Sequence, residues 1–267
     1  MAAFRRLRGP VDPSTGARLR RPSVRRYRGY TALQFVRGQT QSRMRSGDPD
    51  HLLIDYTRTM LGALLLQPQP RRIGIVGLGG GSQAKFCHRH LPGARIEAVE
   101  NNAAVIALRH EFRIPDDDDR LQVVHDDGAR FLRERRGRYD LLLVDGYDET
   151  GIPEALSTQA FYDDCRAALA PGGAMAGNLY CADHERHVAR LRRSFGEARV
   201  LVLEEEKMSN RVVFAWNGDA LRDGAADIAR NAQLLPDAVR HELADVLARV
   251  GRAMELHAKR IAADTPL

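Results

Sequence analysis

Arg71 to Glu100 reads RRIGIVGLGGGSQAKFCHRHLPGARIEAVE. An apolar run (Ile73, Ile75, Val76) enters the glycine turn Gly77-Leu78-Gly79-Gly80-Gly81-Ser82, a helix-like stretch follows, and a second apolar run (Ile96, Ala98, Val99) ends in Glu100. The order is strand, glycine turn, helix, strand, acid, with Glu100 standing 23 residues after Gly77. In a Rossmann-type unit the glycines let a ligand approach the backbone, and the acid at the second strand end holds ribose hydroxyls. The segment therefore predicts a nucleoside site carried by a parallel sheet.

The flanking sequence extends this pattern. Strands are expected at 71–77, 95–99, 121–125, 139–145, 173–179, 198–204 and 210–216. Helices are expected at 82–91, 102–112, 127–136, 158–169 and 184–195. Five strand–helix repeats make a doubly wound α/β sheet. Only residues 205–209 separate the last two strands, too few for a parallel crossover, so they must form an antiparallel hairpin. That is the layout of S-adenosylmethionine-dependent transferases and argues against a nicotinamide dehydrogenase. We divide the chain into a basic, mobile leader (1–21), a small β element (22–50), the Rossmann-like transferase domain (51–217) and a helical extension (218–267). Leu234, Leu235, Val239, Leu243, Val246, Leu247 and Val250 mark one stripe of the extension, expected to pack on the core or on a second subunit.

Composition narrows the class. A chain of 267 residues has room for one α/β core and a small appendage. Its three cysteines, Cys87, Cys165 and Cys181, are too few and too scattered to suggest a disulfide framework or a zinc site, and the first two read as buried thiols. The N-terminus lacks an apolar signal core, and Met60–Leu66 is too short to span a bilayer, so a cytoplasmic location is expected. Residues 1–48 hold twelve arginines against Asp12 and Asp48. Such a patch reports non-specific electrostatics, and with few interleaved aromatics (Phe4, Tyr27, Tyr30, Phe35) nucleic acid is not expected as the partner.

Ligands of open α/β sheets bind beyond the carboxyl ends of the strands. The predicted strands end in Gly77–Ser82, Glu100, Asp126-Asp127-Gly128, Asp145-Gly-Tyr-Asp148-Glu149 and Asn178-Leu-Tyr180. One acid at such a place is ordinarily a helix cap, and Asp126 or Asp127 suits that role. Four strand ends together, each a glycine turn or an acid, describe a site. Carboxylates favour a sulfonium donor and an ammonium acceptor. The acceptor must lose a proton before attacking, which makes Asp145 the expected base and Asp148 an amine anchor. The competing reading is that both only order the loop 146–157.

Taken with QSRMRSGDPDHLLIDYTRTML, the stretches GLGGGS, AVE, HDDGARF and LLLVDGYDETGIPEALSTQAFYDDCRAALAPGG resemble the polyamine aminopropyltransferases, that is, spermidine synthases and their bacterial relatives, over about residues 22–217. The resemblance implies decarboxylated S-adenosylmethionine as donor, a di- or polyamine as acceptor, methylthioadenosine as by-product, no metal, and a homodimer. Carried over by residue, it implies donor contacts from Gln41, from the turn Gly77, Gly79, Gly80 and Gly81, from Glu100, and from Asp127 with Gly128. It also implies Asp145 as catalytic aspartate with a donor contact, Asp148 as its companion, and Tyr56 as the residue orienting the amine. Three positions depart from the family pattern. Gly80 stands in place of an aspartate that excludes a donor carboxylate. Thr57 and Arg58 replace an acceptor-binding glutamate, and Glu204–Asn210 replaces a tyrosine- and proline-rich acceptor segment. Gly80 and Arg58 therefore keep open a methyltransferase using intact S-adenosylmethionine, and the arginine-rich leader a non-catalytic binding protein.

Other features carry less. Asp116–Asp119 reads as an exposed acidic loop. His88, His90, His110 and His125 show no ligand spacing, and His184 with His187 share a helix face without an evident third ligand.

Overall fold

The structure, a computed structural model, describes residues 9–148, 151–219 and 221–264. Part of the leader (1–8, with Phe4), Glu149 of the Asp145 loop and the last tail residues lie outside that range. Three short strands come first: β1 (Ser23–Tyr27), β2 (Tyr30–Gln34) and β3 (Thr40–Arg45) form an antiparallel sheet in that order. Helix α1 (Asp55–Met60) then leads into the alternating domain. Its elements are β4 (Arg72–Val76), α2 (Ser82–His90), β5 (Arg95–Glu100), α3 (Ala103–Ile106), β6 (Leu121–His125), α4 (Gly128–Arg133), β7 (Tyr139–Val144), α5 (Gln159–Ala168), β8 (Leu169–Leu179), α6 (His184–Phe195), β9 (Val200–Glu204) and β10 (Arg211–Trp216). Helices α7 (Ala225–Leu234), α8 (Asp237–Glu242) and α9 (Ala244–Asp264) close the chain.

The seven strands are ordered β6-β5-β4-β7-β8-β10-β9. β4 to β8 run parallel to their neighbours, and β10 is antiparallel to both β8 and β9. The expected sheet and its terminal hairpin are both present. Side-chain alternation divides the core. Ile73, Ile75, Leu141, Leu143, Ala174, Ala176, Val212 and Phe214 face one apolar layer, while Val76, Leu142, Met175, Val213 and Ala215 face the other. Both faces are covered, as parallel strands require.

The tail covers the first face. Leu235, Val239, Leu243, Val246, Val250 and Met254 are buried against Met60, Leu61, Leu64 and Leu65, whereas Leu234 is exposed and Leu247 half-buried. That stripe is therefore used within its own subunit. One helix departs from expectation: 102–112 is helical only over α3. The bonds Leu108 N–H to Val105 O and Arg109 N–H to Ile106 O tighten the turn, and Arg113 at φ 54° ends it. Among the described residues, no helix is long and apolar enough to cross a membrane.

Candidate active site

Strand order reverses between β4 and β7, the switch point at which such sheets bind ligands. The pairing of Val76 with Val144 continues as Asp145 N–H donating to Val76 O at 2.8 Å. Gly77 sits at φ +93°, and a Cβ there would lie 2.3 Å from Asp145 O. The glycine lets the ends of the first and fourth parallel strands touch. Glu100, closing β5, accepts N–H bonds from Leu78 (3.1 Å), Gly79 (3.5 Å) and Asn102 (3.0 Å). Burial raises its pKa against the pull of those three donors.

Asp145 is the centre of a hydrogen-bond network. Its Oδ2 accepts from the Tyr56 hydroxyl at 3.1 Å and its Oδ1 from Asn178 Nδ2 at 2.9 Å. Asn210 Nδ2 donates to Asn178 Oδ1 at 2.9 Å, which fixes the amide orientation. Four elements thus converge: α1 brings Tyr56, β7 ends at Asp145, β8 supplies Asn178 and the β9–β10 turn supplies Asn210. Burial pushes the Asp145 pKa up, and the bonds from Asn178 and Tyr56 only partly oppose it. Burial and the neighbouring Asp145 charge push the Tyr56 phenol well up, so it remains a neutral donor. The Tyr147 hydroxyl donates to Asn178 O at 3.0 Å and accepts Tyr180 N–H at 2.5 Å, tying the β7 loop to the end of β8.

These groups border a cleft of about 1380 Å³, larger than the ~300–1,000 Å³ typical of a single-ligand pocket. Gln41, Tyr56, Gly77, Gly79, Glu100, Asp127, Gly128, Asp145 and Asp148 all line it. Gly80 and Gly81 do not. A Cβ on Gly80 would meet Ser42 Oγ at 2.5 Å and Phe112 at 2.9 Å, and one on Gly81 would meet Ile114 at 2.4 Å. Gly80 is thus accounted for by the packing of β3 and Phe112 against the turn. Asp127 caps α4 through Oδ1 to Arg130 N–H (2.9 Å), so capping and cleft lining coincide in one residue. Asp148 accepts Gly151 N–H at 3.1 Å, ordering its loop while lining the cleft.

The remaining departures resolve by direction. Arg58 points away from the cleft to Glu242 O and Asp245 Oδ1, both at 2.8 Å, and is not part of the cleft lining. Glu205 is sealed against Arg249, 3.1 Å from each carboxylate oxygen, so it is not held out to an amine. The cleft wall there is Lys207–Asn210. Sequence reasoning assigned no role to Asn178, Asn210 or Tyr147, although Asn178 stood in the list of strand ends. It also missed Asp12, Ser14 and Thr15 of the leader, which line the cleft. Asp12 Oδ2 accepts from Asn101 Nδ2 at 3.1 Å. Burial alone would raise the Asp12 pKa, but bonds from Ser14 and Thr15 outweigh it and hold the carboxyl at about 2.

Sequence comparison assigns this architecture. The family described as the spermine/spermidine synthase domain matches residues 54–192, which carry all four rim segments from Gly77 to Asp148. The chain belongs to the spermine/spermidine synthase family. A polyamine aminopropyltransferase of Chromobacterium violaceum is 39% identical over 179 residues, 66% of this chain and 68% of that protein. A probable spermidine synthase of Corynebacterium glutamicum has the same fold at 18% identity, with a TM-score of 0.63 over 83% of this chain and 90% of that one. Human methyltransferase-like protein 13, solved with SAH, gives a TM-score of 0.58 at 25% identity over 74% and 93% of the two chains. The fold is shared by both chemistries, so the choice between them rests on family membership and on the site.

Proposed function

We propose that this family member is an aminopropyltransferase. It moves the aminopropyl group of decarboxylated S-adenosylmethionine to a di- or polyamine and releases methylthioadenosine. One observation carries the reading beyond the family. Among the described residues, the cleft is lined by seven acids (Asp12, Asp55, Glu100, Asp127, Asp145, Asp148, Glu154) against two bases, Arg43 and Lys207. Such a field favours a sulfonium donor and an ammonium acceptor, and disfavours a donor that keeps its carboxylate. At ~4 Å and an effective dielectric of ~20, one like-charge contact amounts to about 4 kcal/mol before solvent screening.

The donor's nucleoside half suits the glycine turn. Nothing but Ser42 Cβ, at 3.9 Å, approaches a Cβ built on Gly79, so that stretch is open to the ligand, and Glu100 stands beside it as the ribose acid. Asp127 and Gln41, both in the cleft lining, are assigned to the adenine and to a further donor contact. Asp145 takes the proton from the acceptor ammonium. The freed nitrogen pair attacks the aminopropyl carbon next to sulfur, and the C–S bond breaks with its electrons going to sulfur. Tyr56 and Asn178 hold both oxygens of the base in place, and Asp148 anchors the amine. Alignment of nitrogen, carbon and sulfur supplies much of the rate. A homodimer belongs to the same proposal. The tail stripe is buried in its own core, so the proposed interface is the small β1–β3 sheet, whose edge strand β1 is largely exposed.

The test is to incubate the protein separately with decarboxylated and intact donor and a pooled set of amines, then to identify the nucleoside product by mass spectrometry. Methylthioadenosine formed only from the decarboxylated donor, and only with amine present, is expected. S-adenosylhomocysteine would overturn the reading.

A further inference from the structure

The turn between β8 and α6 brings together side chains that the proposed transfer reaction does not use. Among the described residues, one set of three metal-ligating groups converges: Cys181 Sγ, an Asp183 carboxylate oxygen and a His187 ring nitrogen, all within 4.8 Å of one another. His184, the neighbour that spacing suggested as a co-ligand, is not in the set. The ligands come from Cys181-x-Asp183-x3-His187, a single turn of chain entering a helix.

His187 is the second observation pointing to a ligand. It is only 2% exposed. Its Nδ1 lies 2.6 Å from the Tyr162 hydroxyl, while Nε2 faces Asp183 Oδ1 at 3.6 Å, beyond hydrogen-bond length. With Nδ1–H donating to Tyr162, the Nε2 lone pair is aimed at Asp183 and Cys181. A ligating histidine is held in this way, its other nitrogen fixed by an outer hydrogen bond that sets tautomer and ring plane. Asp183 engages Arg186 through Oδ2 and turns Oδ1 to His187.

We propose that Cys181, Asp183 and His187 form a binding site for a zinc-like divalent cation, with a fourth position open to solvent. Thiolate, imidazole and one carboxylate select a borderline-soft ion; magnesium and calcium call for all-oxygen sets. Bond lengths of about 2.0–2.3 Å in a tetrahedron hold ligand atoms about 3.3–3.6 Å apart, so Asp183 and His187, at 3.6 Å, are nearly in place, and no pair has to close by more than about 1.5 Å. Cys181 releases its thiol proton to solvent as Sγ takes the metal, and thiolate plus carboxylate then balance the double charge. Arg186, paired with Asp183, leaves the occupied site with one net positive charge, which suits an anion or hydroxide at the open position.

The full-length protein is titrated with cobalt(II), and zinc(II) is used to displace it. A one-to-one complex with a near-ultraviolet sulfur-to-cobalt charge-transfer band is expected. Cys181→Ser removes the band, and His184→Ala leaves it unchanged. Tyr162→Phe, which touches no metal, weakens binding by about tenfold through loss of the outer hydrogen bond. Asp183→Asn also weakens it; Asp183 makes no capping bond to α6, so this variant keeps the fold and carries the test should a His187 variant not fold. Absence of a one-to-one complex, or a complex indifferent to Cys181→Ser and Asp183→Asn, overturns the proposal and leaves surface binding only.

Discussion

Asp145→Asn separates chemistry from architecture at this site. Asn178 presents its Nδ2 to Asp145 because its Oδ1 is committed to Asn210. An asparagine at 145 can turn its own oxygen to Asn178 and its amide nitrogen to Tyr56, whose hydroxyl rotates to accept. Both hydrogen bonds survive, and the proton acceptor alone is lost. General-base catalysis is worth ~10²–10⁴ in rate, or about 2.7–5.4 kcal/mol at ~1.36 kcal/mol per decade. The expected result is a fall in kcat of that size, read as nucleoside product by mass spectrometry, with methylthioadenosine affinity by calorimetry unchanged. The wild type should also lose kcat/KM as pH drops through a value above the ordinary carboxylate range, since burial raises the Asp145 pKa; the variant lacks that limb. Stability carries a sign of its own. A raised carboxyl pKa means that the folded state holds the proton more tightly, so its contribution is present at low pH and lost as pH rises through the folded pKa. At neutral pH the variant is therefore no less stable than wild type. Turnover within about threefold of wild type would remove Asp145 from the mechanism.

Four further outcomes are expected. Asn178→Ala takes a donor from Asp145 and strands Asn210, lowering kcat by about tenfold to a hundredfold, the worth of a charged hydrogen bond; the acid limb of kcat/KM moves up, and an unmoved limb refutes the network. Gly77→Ala places a methyl 2.3 Å from Asp145 O at φ +93°. It should destabilise by about 2–4 kcal/mol in urea titration, and an unchanged midpoint would contradict the close approach. Gly80→Asp meets Ser42 and Phe112 rather than open cleft, so about 1–3 kcal/mol of stability is lost and the ratio of activities on the two donors does not change; a marked gain for the decarboxylated donor would show that the side chain reaches the cleft after all. Arg249→Met strands Glu205, whose side chain is 3% exposed, at about 3–5 kcal/mol. Adding Glu205→Gln should recover part of that in the same titration.

The sheet was legible because its strands are apolar on both faces and punctuated by turns, so periodicity and loop length alone distinguish five parallel strands from the closing hairpin. The rim was legible for a topological reason: strand ends in such sheets share an edge, so residues far apart in sequence as Gly77, Glu100, Asp127 and Asp145 are expected side by side. Side-chain direction was not legible. Arg58 sits two residues from Tyr56 yet turns to α8 and α9, and Gly80 belongs to the glycine turn yet faces Phe112. Both were read as evidence about the ligand, and both are accounted for by packing that only the tertiary structure supplies. The same holds for Asn178, a strand end like the others until its partner Asn210 is brought alongside by β10, and for Asp12, which reaches the cleft across 89 positions of sequence to Asn101.

Among the described residues the helical tail supplies no lining to the cleft, yet it holds two of its walls together. Arg249 on α9 bonds Thr59 Oγ1 on α1 and both oxygens of Glu205 in the β9–β10 turn. Thr59 lies one helical turn beyond Tyr56, and Glu205 N–H closes the hairpin onto Asn210 O at 3.0 Å. One guanidinium therefore sets the separation of the two elements that reach Asp145 from opposite sides, Tyr56 directly at Oδ2 and Asn210 through Asn178 at Oδ1. The basicity of Asp145 depends on how fully those donors oppose its desolvation. A shift of either wall would alter the base without touching it, which makes Arg249, outside the matched segment 54–192, a positioning residue for chemistry conducted within it.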